Sequence, residues 1–530
     1  MYPPSAPVRR SSRYVPPWIR VTRASLIAAP SSVVTKPAIA GPVGASARGR
    51  AFVARFGVVE AQPVQIDLTL GLETERGRWT VIGDTEPERF SGTPSATLLP
   101  DGQVFYCHNT EDPVVLDPAT GTKSYPGPSP SSQGCHMQTV LSSGSVIFVG
   151  GQAADDPASF VDGVRTVKRY DPVADEWEVL PSLNEPRWYP TLVRLPDERL
   201  LACGGGQPPD AARTATCELW DPGTRAWTPT GSLEQPTEYS PSAVLDSGEV
   251  LTTWSPPQIF TPSTGLWRPA GAMVQPDRGF PDHSDHSLVL LSDGSALAIG
   301  VRGSAGEGMV ERYVPADDAW SLGASPEVNR SRPEVVYLPD GRVLTAGGKY
   351  DGDDPAITTN PFRQVALADL YDPDLDVWRP VAPMLLAREY HALTLLVPDG
   401  RVLTTSGTGN QASGAAPENT VEAFEPPYLF RGPRPRIVTV SSTDVRRGEP
   451  LTIEFDGTRA PTAIVLQGTM AVTHWMDGGV PRRAELAFTS DGAVATAQVT
   501  ADANRLPTGW YILFILVDDI PSVGRIVRVR

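Results

Sequence analysis

The sequence predicts an all-β protein in which a seven-bladed β-propeller is followed by an immunoglobulin-like β-sandwich. One observation is a hairpin motif that recurs seven times, and a second is a Trp-containing motif that lies between the copies. The third is composition, because 48 Gly and 55 Pro among 530 residues favour short strands joined by tight turns over long helices.

Each copy of the hairpin motif contains an apolar run, a turn of the Asp-Gly kind and a second apolar run, often followed by Gly-Gly. Asp-Gly between apolar runs is a strong hairpin signal, since both residues tolerate a positive φ. The turn positions lie 42 to 59 residues apart and are Gly102, Gly144, Glu198, Gly248, Gly294, Gly341 and Gly400. This spacing is near the period of about 50 residues of kelch-type propellers.

The second motif is an aromatic or apolar pair followed by Pro and then by Trp. Its tryptophans are Trp177, Trp227, Trp267, Trp320 and Trp378. Together the two motifs give two hairpins per repeat. The resulting four-stranded sheet buries both faces only by packing against neighbours around an axis. Trp79 precedes the first hairpin, and we expect its strand to form the outer strand of the last blade.

The repeat stops at the PPYLFRGPRP stretch, and about seven short strands without it fill the last hundred residues, which indicates the sandwich. We therefore expect the propeller over residues 60–432 and the sandwich over residues 433–530. Residues 1–59 hold nine Lys or Arg and no acidic residue. We expect them to be a disordered or leader segment, without a clear signal peptide because their best apolar run is short.

The rest of the chain carries 36 basic and 61 acidic residues, so its charge argues against a nucleic-acid partner. No stretch reaches the roughly 18 apolar residues of a membrane span. The four cysteines show no paired spacings, so neither a disulfide scaffold nor a zinc ribbon is predicted. We expect each cysteine to be a small buried hydrophobe.

If the seven hairpins share one register, the residue nine before each turn position begins the strand that lines the channel. These strand-head residues are Thr93, Cys135, Tyr189, Tyr239, Asp285, Arg332 and His391. Ser, Thr, Gly or Asn would suffice for a merely polar lining, which is the alternative interpretation. Converging thiol, phenol, carboxylate, guanidinium and imidazole groups instead predict a site at the channel mouth. Imidazole with phenolate favours copper or iron over calcium or magnesium.

At these residues the chain resembles the copper radical oxidases, the family of galactose oxidase and glyoxal oxidase, over about residues 75–530. The resemblance implies that Cys135, in GCHMQTVLSSG, is thioether-bonded to Tyr189, in RWYPTLVRLPD, as a protein-derived radical cofactor. It also implies that Tyr189, with Tyr390 and His391 in REYHALTLL, binds copper. His474, in VTHWMDGG, would complete the ligand set from the early-set sandwich domain, and Tyr390 would act as the base.

The resemblance, closer to the glyoxal oxidase side, implies oxidation of a small aldehyde or primary alcohol by dioxygen, with release of hydrogen peroxide. It favours a monomer located outside the cell or in its envelope. Arg332, Tyr239 and Asp285 share the channel mouth and are candidates for substrate binding. An ion pair between Arg332 and Asp285 is the alternative. Gln207 occupies the position from which galactose oxidase stacks a Trp on its cross-link.

Three further points stay open at the level of sequence. His283 and His286 could hold a second metal, although a solvated loop is the favoured interpretation. Tyr390 and His391 are neighbours, and side chains of a regular strand alternate between faces, so both can reach one ion only if the strand begins after them. A non-catalytic kelch-like propeller that binds a protein or glycan is the rival function. A copper-storage protein without a radical is the third function considered.

Overall fold

The computed structural model describes residues 68–85, 95–107, 112–153, 163–208, 212–253, 256–275, 278–280, 283–301, 309–350, 364–407, 419–456 and 459–530. Within these ranges the only helices are Leu68–Arg76 and the short 3-10 helix Pro427–Phe430, so the all-β class is confirmed. Neither helix is long and apolar enough to cross a membrane. Residues 70–353 and 360–530 form one compact unit. Thr93 and residues 1–59 lie outside the described ranges.

The described residues up to Glu425 contain seven four-stranded antiparallel units, which we call sheets 1 to 7. Sheet 1 contains Ser95–Leu98, Val104–Tyr106, Val114–Leu116 and Lys123–Ser124, and sheet 2 contains Met137–Val140, Val146–Val149, Val167–Asp171 and Glu176–Leu180. Sheet 3 contains Thr191–Arg194, Leu200–Cys203, Cys217–Asp221 and Ala226–Thr230, and sheet 4 contains Ser242–Val244, Val250–Thr252, Gln258–Thr261 and Leu266–Pro269. Sheet 5 contains Ser287–Leu290, Ala296–Ile299, Val310–Val314 and Ala319–Leu322, and sheet 6 contains Glu334–Tyr337, Val343–Ala346, Ala368–Asp372 and Val377–Pro380. Sheet 7 contains Ala392–Leu396, Val402–Ser406, Thr420–Glu425 and Arg78–Asp84.

The first strands of the sheets surround a common axis. Each first strand contacts the first strand of the next sheet, and the first strand of sheet 7 contacts that of sheet 1. The fourth strand of sheet 7 comes from the N-terminal side of the chain, where Trp79 lies opposite Phe424. The prediction that the Trp79 strand forms the outer strand of the last repeat is therefore confirmed. Two short hairpins interrupt this order: Gly206–Gln207 with Ala212–Arg213 lies between the second and third strands of sheet 3, and Gly279–Phe280 with His283–Ser284 lies between sheets 4 and 5 in sequence.

The recurring Trp residues hold neighbouring sheets together. Each Trp lies on a fourth strand and packs on an aromatic ring of the third strand, with ring centroids 4.9 to 5.5 Å apart. The indole of Trp378 also donates a hydrogen bond of 2.8 Å to the Ala324 carbonyl, which follows the preceding sheet. The indole of Trp267 donates a hydrogen bond of 2.9 Å to the Gly231 carbonyl in the same way. The aromatic motif thus stabilises each of these sheets internally, and the indoles of Trp267 and Trp378 also join their sheets to the sheet before.

Buried arginines fix the backbone just before several of the first strands. Arg187, Arg278, Arg330 and Arg388 are at most 2% exposed. Each pairs with a carboxylate on a third strand at 2.5 to 3.0 Å, the partners being Glu218, Glu311, Asp369 and Glu422. Each guanidinium also donates to main-chain carbonyls, as Arg388 does to Ser406. These charges are tolerated in the interior because they are both paired and hydrogen-bonded.

The C-terminal region forms two sheets that share one core. One sheet contains Arg436–Val440, Pro450–Asp456, Val494–Gln498 and Ala487–Asp491. The other contains Asp444–Val445, Arg525–Val529, Gly509–Val517, Ala463–Gly468 and Arg483–Glu485, with Ile520–Pro521 beside the central strand. Ile453 and Phe455 from the first sheet pack with Leu466 and Leu513 from the second. Two sheets facing each other across an apolar layer are a β-sandwich.

A hairpin from the C-terminal region, Ala471–Thr473 with Met476–Asp477, enters the axis of the seven sheets. Ala471–Thr473 pairs with the first strand of sheet 1, where Thr473 lies opposite Ser95. It also contacts the first strands of sheets 2 and 7. A Cβ atom at Gly478 would overlap the carbonyl oxygen of Gln138, so only glycine fits this close approach. Sequence patterns did not predict this added strand.

The prediction that each cysteine is merely a small buried hydrophobe is wrong for two of them, which form a disulfide. Cys203 and Cys217 lie directly opposite each other on adjacent strands of sheet 3 and form a disulfide. They are 14 residues apart in the chain, so their contact arises from strand register and not from a recognisable spacing. Cys107 and Cys135 are buried and lie outside this disulfide.

His286 is neither in a solvated loop nor in a metal cluster of the described residues, so the favoured solvated-loop interpretation is wrong for it. It is fully buried, with Nδ1 3.2 Å from the Arg278 carbonyl and Nε2 2.7 Å from the Thr253 hydroxyl. The buried Arg278 lies in the segment that precedes sheet 5, and its main-chain carbonyl contacts this histidine. The His283 side chain lies outside the described structure.

Replacing His286 is expected to reduce the acid sensitivity of the fold. Burial, together with the positive charge of Arg278, lowers the pKa of His286 to about 3. Because the unfolded state takes up this proton first, near pH 6.5, stability is lost as the pH falls toward the folded pKa. In urea unfolding between pH 6.5 and 5, His286→Gln should lose stability less steeply than the parent, by about 1 kcal/mol per pH unit on average. Equal slopes in the two proteins would contradict this prediction.

Candidate active site

The strand-head residues share an unusual backbone conformation. Cys135, Tyr189, Tyr239, Arg332 and His391 have φ values of 50°, 55°, 40°, 49° and 74°. The left-handed region costs a non-glycine residue about 1–2 kcal/mol, so it persists only where the surrounding structure enforces it. Its repetition at one register shows that the chain turns in the same way immediately before each of these first strands.

Main-chain hydrogen bonds connect the strand heads of neighbouring sheets. The Tyr189 N–H donates to the Cys135 carbonyl at 3.2 Å, and the Tyr239 N–H donates to the Tyr189 carbonyl at 3.0 Å. The Arg332 N–H donates to the Asp285 carbonyl at 2.7 Å. These bonds fix the positions of adjacent strand heads relative to one another, so their side chains meet at one end of the axis.

Three phenols and two imidazoles form a compact cluster at this end. His474 lies at its centre, with its ring centroid 4.7 Å from His391, 5.0 Å from Tyr239, 5.1 Å from Tyr390 and 5.3 Å from Tyr189. The hydroxyl groups of Tyr189 and Tyr390 are hydrogen-bonded to each other. The structure therefore brings together Tyr189, the adjacent pair Tyr390 and His391, and His474, which come from three segments distant in sequence.

His474 reaches the cluster on the turn of the hairpin that lies along the axis. Its φ is 54°, its Nδ1 lies 2.8 Å from the Thr473 hydroxyl, and it is 1% exposed. Burial is the main cause that lowers its pKa well below the ordinary value, and His391 and Arg332 add to the effect. The imidazole is consequently neutral near pH 7, which is the form that binds metals.

Tyr390 and His391 are adjacent and yet both belong to the cluster. The regular strand begins only at Ala392, and the left-handed φ of His391 interrupts the alternation of side chains. Their ring centroids lie 3.7 Å apart. The requirement stated from the sequence, that the strand begin after this pair, is met.

Cys135 lies next to Tyr189. It is 4% exposed, and its side chain is within hydrogen-bonding distance of the Tyr189 phenol. Burial raises the pKa of Tyr189 well above its usual value, and the neighbouring Cys135 and Tyr390 reinforce this effect. The phenol of Tyr189 is therefore protonated in the copper-free protein at neutral pH.

The predicted substrate-binding residues fall into two groups. Tyr239 is buried within the cluster, where its hydroxyl donates to the His136 carbonyl at 3.2 Å. Arg332 pairs with Asp285 at 2.5 Å, so the ion pair considered as an alternative is present. The Arg332 Cζ atom lies 5.2 Å from the Tyr390 ring centroid, which keeps this ion pair at the edge of the cluster.

Sequence reasoning missed Trp188, whose indole stacks on Tyr189. The centroids are 4.4 Å apart and the planes differ by 25°. Two main-chain hydrogen bonds between Trp188 and Gly206, of 2.8 and 2.6 Å, fix its position. Gln207 follows Gly206, but its amide donates to Glu185 at 2.7 Å. The aromatic neighbour of Tyr189 thus comes from the preceding residue, and the RWYPT motif contained the signal.

Trp475 and Glu389 were also missed. Trp475 follows His474 and is 6% exposed. Its ring centroid lies 5.2 Å from the Arg332 Cζ atom and 6.1 Å from the ring centroid of Tyr390. Glu389 precedes Tyr390 and accepts a hydrogen bond of 3.1 Å from Arg332. Both residues adjoin predicted site residues in sequence, but neither position was marked by the strand-head register.

The donor set of the cluster fits a redox-active transition metal. Tyr189 and Tyr390 contribute two phenol oxygens, and His391 and His474 contribute two imidazoles, at mutually close positions. Such a mixture of nitrogen and anionic oxygen donors suits copper or iron. The nearby carboxylates of Asp285 and Glu389 are engaged by Arg332, so the cluster does not resemble the oxygen-rich sites of calcium or magnesium.

Comparison with known proteins agrees with this arrangement. Residues 434–529 match the family described as "Galactose oxidase-like, Early set domain". A galactose oxidase of Gibberella zeae is 30% identical over 203 residues, which make up 37% of this chain and 28% of that protein. The matched region thus spans less than a third of this relative.

Two other comparisons extend over most of the chain. "Aldehyde oxidase GLOX" of Vitis pseudoreticulata is 24% identical over 500 residues, which cover 82% of this chain and 90% of the relative. A solved structure described as a novel fungal alcohol oxidase of the AA5 family in complex with copper has a TM-score of 0.70 at 21% identity. It covers 86% of this chain and 99% of its own, and this likeness concerns the fold. Taken with the matched early-set domain, these relatives make the chain similar to the copper radical oxidases, in agreement with the resemblance seen in its sequence.

Proposed function

We propose that this chain is a copper-dependent oxidase that converts a small primary alcohol or hydrated aldehyde to the aldehyde or acid, while reducing dioxygen to hydrogen peroxide. The observation that supports it is the convergence of two phenols and two imidazoles at the end of the axis. Relatives named galactose oxidase and aldehyde oxidase are consistent with it. In this proposal the seven sheets are the blades of one propeller.

Tyr189, Tyr390, His391 and His474 would hold the copper ion. When bound, copper supplies a one-electron acceptor and favours the anionic form of a phenol at its side. Oxidation of the substrate releases two electrons, so a second acceptor is required, and we assign it to Tyr189. A thioether to Cys135 would make this ring easier to oxidise, because sulfur donates electron density to it.

Tyr390 is the proposed base. Burial raises its pKa above the usual value in the copper-free protein, although its hydrogen bond from Tyr189 and the charge of Arg332 oppose this. A neutral phenol is a poor base near pH 7. A cation at the Tyr390 oxygen would lower this pKa and favour the anionic phenol. In that form Tyr390 would take the proton of the substrate hydroxyl. Dioxygen then receives two electrons and two protons, which balances the release of hydrogen peroxide.

We expect Cys135→Ser to abolish the cross-link that activates Tyr189. Formation of a thioether removes one hydrogen from the thiol and one from the ring, and dioxygen accepts them. The intact mass of the parent protein should therefore fall by about 2 Da after exposure to copper and air, whereas Cys135→Ser should show no such loss. Cys107→Ser, which changes the other buried thiol outside the disulfide, is the matched control.

The same variant tests the function itself. Cys135→Ser should retain copper but release peroxide at least a hundredfold more slowly than the parent, because its Tyr189 ring is harder to oxidise. Turnover equal to that of the parent would refute the radical scheme. Absence of both mass loss and peroxide in the parent would leave the non-catalytic propeller as the better description.

His474→Ala should weaken copper binding although the residue lies in the C-terminal region. Loss of a central imidazole is expected to reduce the affinity at least a hundredfold, measured by competition with a chromogenic chelator. His286→Ala removes a buried imidazole outside the cluster and should leave the affinity unchanged. An unchanged affinity in His474→Ala would show that the hairpin does not contribute to the metal site.

Trp188 is proposed to protect the radical on Tyr189, because its ring covers one face of the phenol. In Trp188→Ala this face becomes accessible to water, and the radical half-life, followed by its optical absorption, should shorten more than tenfold. Trp188→Phe should have an intermediate lifetime because it keeps a smaller ring. Trp227→Phe, on the outer strand of sheet 3, is the control. A lifetime unchanged in Trp188→Ala would contradict this role.

A further inference from the structure

The charge of Arg332 at the edge of the candidate site is already compensated. Its Nε lies 2.5 Å from Asp285 Oδ1, and its Nη1 lies 3.1 Å from Glu389 Oε1. The Arg332 main chain is also bonded to the Asp285 carbonyl. An arginine held by two carboxylates and by its own backbone has little freedom to turn toward another anion.

All three groups are shielded from water. The side chains of Arg332, Asp285 and Glu389 are 15%, 2% and 10% exposed. Burial lowers the pKa of Arg332, but Asp285 and Glu389 outweigh this effect and raise it, so the guanidinium is charged. The group of one guanidinium and two carboxylates has no net positive charge, even when Glu389 carries a proton. Charges at this depth are weakly screened, so their balance acts strongly on a molecule in the site.

The neighbouring groups do not restore a positive charge. Glu334, the first residue of the strand that follows Arg332, is 6% exposed, and burial raises its pKa well above the usual value, with the charge of Glu389 adding to this. Arg213, on the short hairpin that includes Gln207, is paired with Glu238 at 3.2 Å. Lys349 is a further cation near Glu389. Arg332 and Lys349 together face the two carboxylates of Asp285 and Glu389, so the positive charges do not outnumber the carboxylates.

We propose that the substrates are uncharged or cationic aldehydes and alcohols, and that Asp285 and Glu389 exclude anionic ones by compensating Arg332. This inference rests on the proposed oxidase function and specifies its substrate class. A carboxylate-bearing substrate would have to displace one of two buried carboxylates from Arg332 or lie beside them uncompensated. A neutral substrate can accept hydrogen bonds from Arg332 without this cost.

Two pairs of aldehydes of similar shape test the proposal by peroxide release at low ionic strength. Glyoxylate differs from methylglyoxal by its negative charge, and betaine aldehyde differs from 3,3-dimethylbutanal by its positive charge. The parent enzyme should show a kcat/KM for methylglyoxal at least tenfold above that for glyoxylate. Betaine aldehyde should be oxidised at least as efficiently as 3,3-dimethylbutanal. Equal or better oxidation of glyoxylate would overturn the proposal.

Substitutions that keep side-chain shape identify the residues responsible. Asp285→Asn and Glu389→Gln each free part of Arg332, and the preference for methylglyoxal over glyoxylate should fall at least tenfold in the double variant. Asp293→Asn removes an exposed carboxylate on the turn of sheet 5 and should leave the preference unchanged. A preference that is the same in the double variant and the parent would also overturn the assignment.

A measurement without copper separates this proposal from the oxidase function. In saturation-transfer NMR on the copper-free protein, methylglyoxal should bind and glyoxylate should not, whereas the double variant should bind both. If no aldehyde is oxidised but this pattern holds, the proposed function fails and the charge selection stands. Binding of glyoxylate to the copper-free parent as strong as that of methylglyoxal would refute the selection independently of turnover.

Discussion

The candidate site depends on one main-chain interaction, the pairing of Ala471–Thr473 with the first strand of sheet 1. It places the following residue, His474, between phenols and an imidazole contributed by sheets that are far apart in sequence. Because the pairing uses backbone groups, it fixes position without depending on the side chains of the paired strands. The C-terminal region is therefore a structural part of the site.

A second constraint is the left-handed backbone at the strand heads. Its cost is offset nearby, because buried ion pairs such as Arg187 with Glu218 and Arg388 with Glu422 anchor the segments that precede Tyr189 and Tyr390. Main-chain bonds between neighbouring strand heads add to this restraint. The rigidity of the repeat scaffold is thus used to hold reactive side chains in a conformation that an isolated strand would not adopt.

The described side chains of the cluster do not oppose a bound cation with a positive charge of their own. Burial keeps His474 neutral and keeps the phenols of Tyr189 and Tyr390 protonated, so the copper-free cluster carries little charge. Arg332 adds no net positive charge because Asp285 and Glu389 compensate it. A metal ion would therefore be the main charge at the site and would control the protonation of the phenols.

The sequence alone determined the repeated hairpins, their register and the residues at the strand heads. Turn chemistry and the alternation of apolar residues are local properties, and they are present in every repeat. It also indicated Tyr390, His391 and His474 through short motifs. Tertiary structure decided what depends on contacts between distant segments. The Cys203–Cys217 disulfide, the pairing of Trp188 with Gly206 and the burial of His286 are of this kind. No spacing along the chain encodes them, since each arises only when segments that are separate in sequence lie side by side.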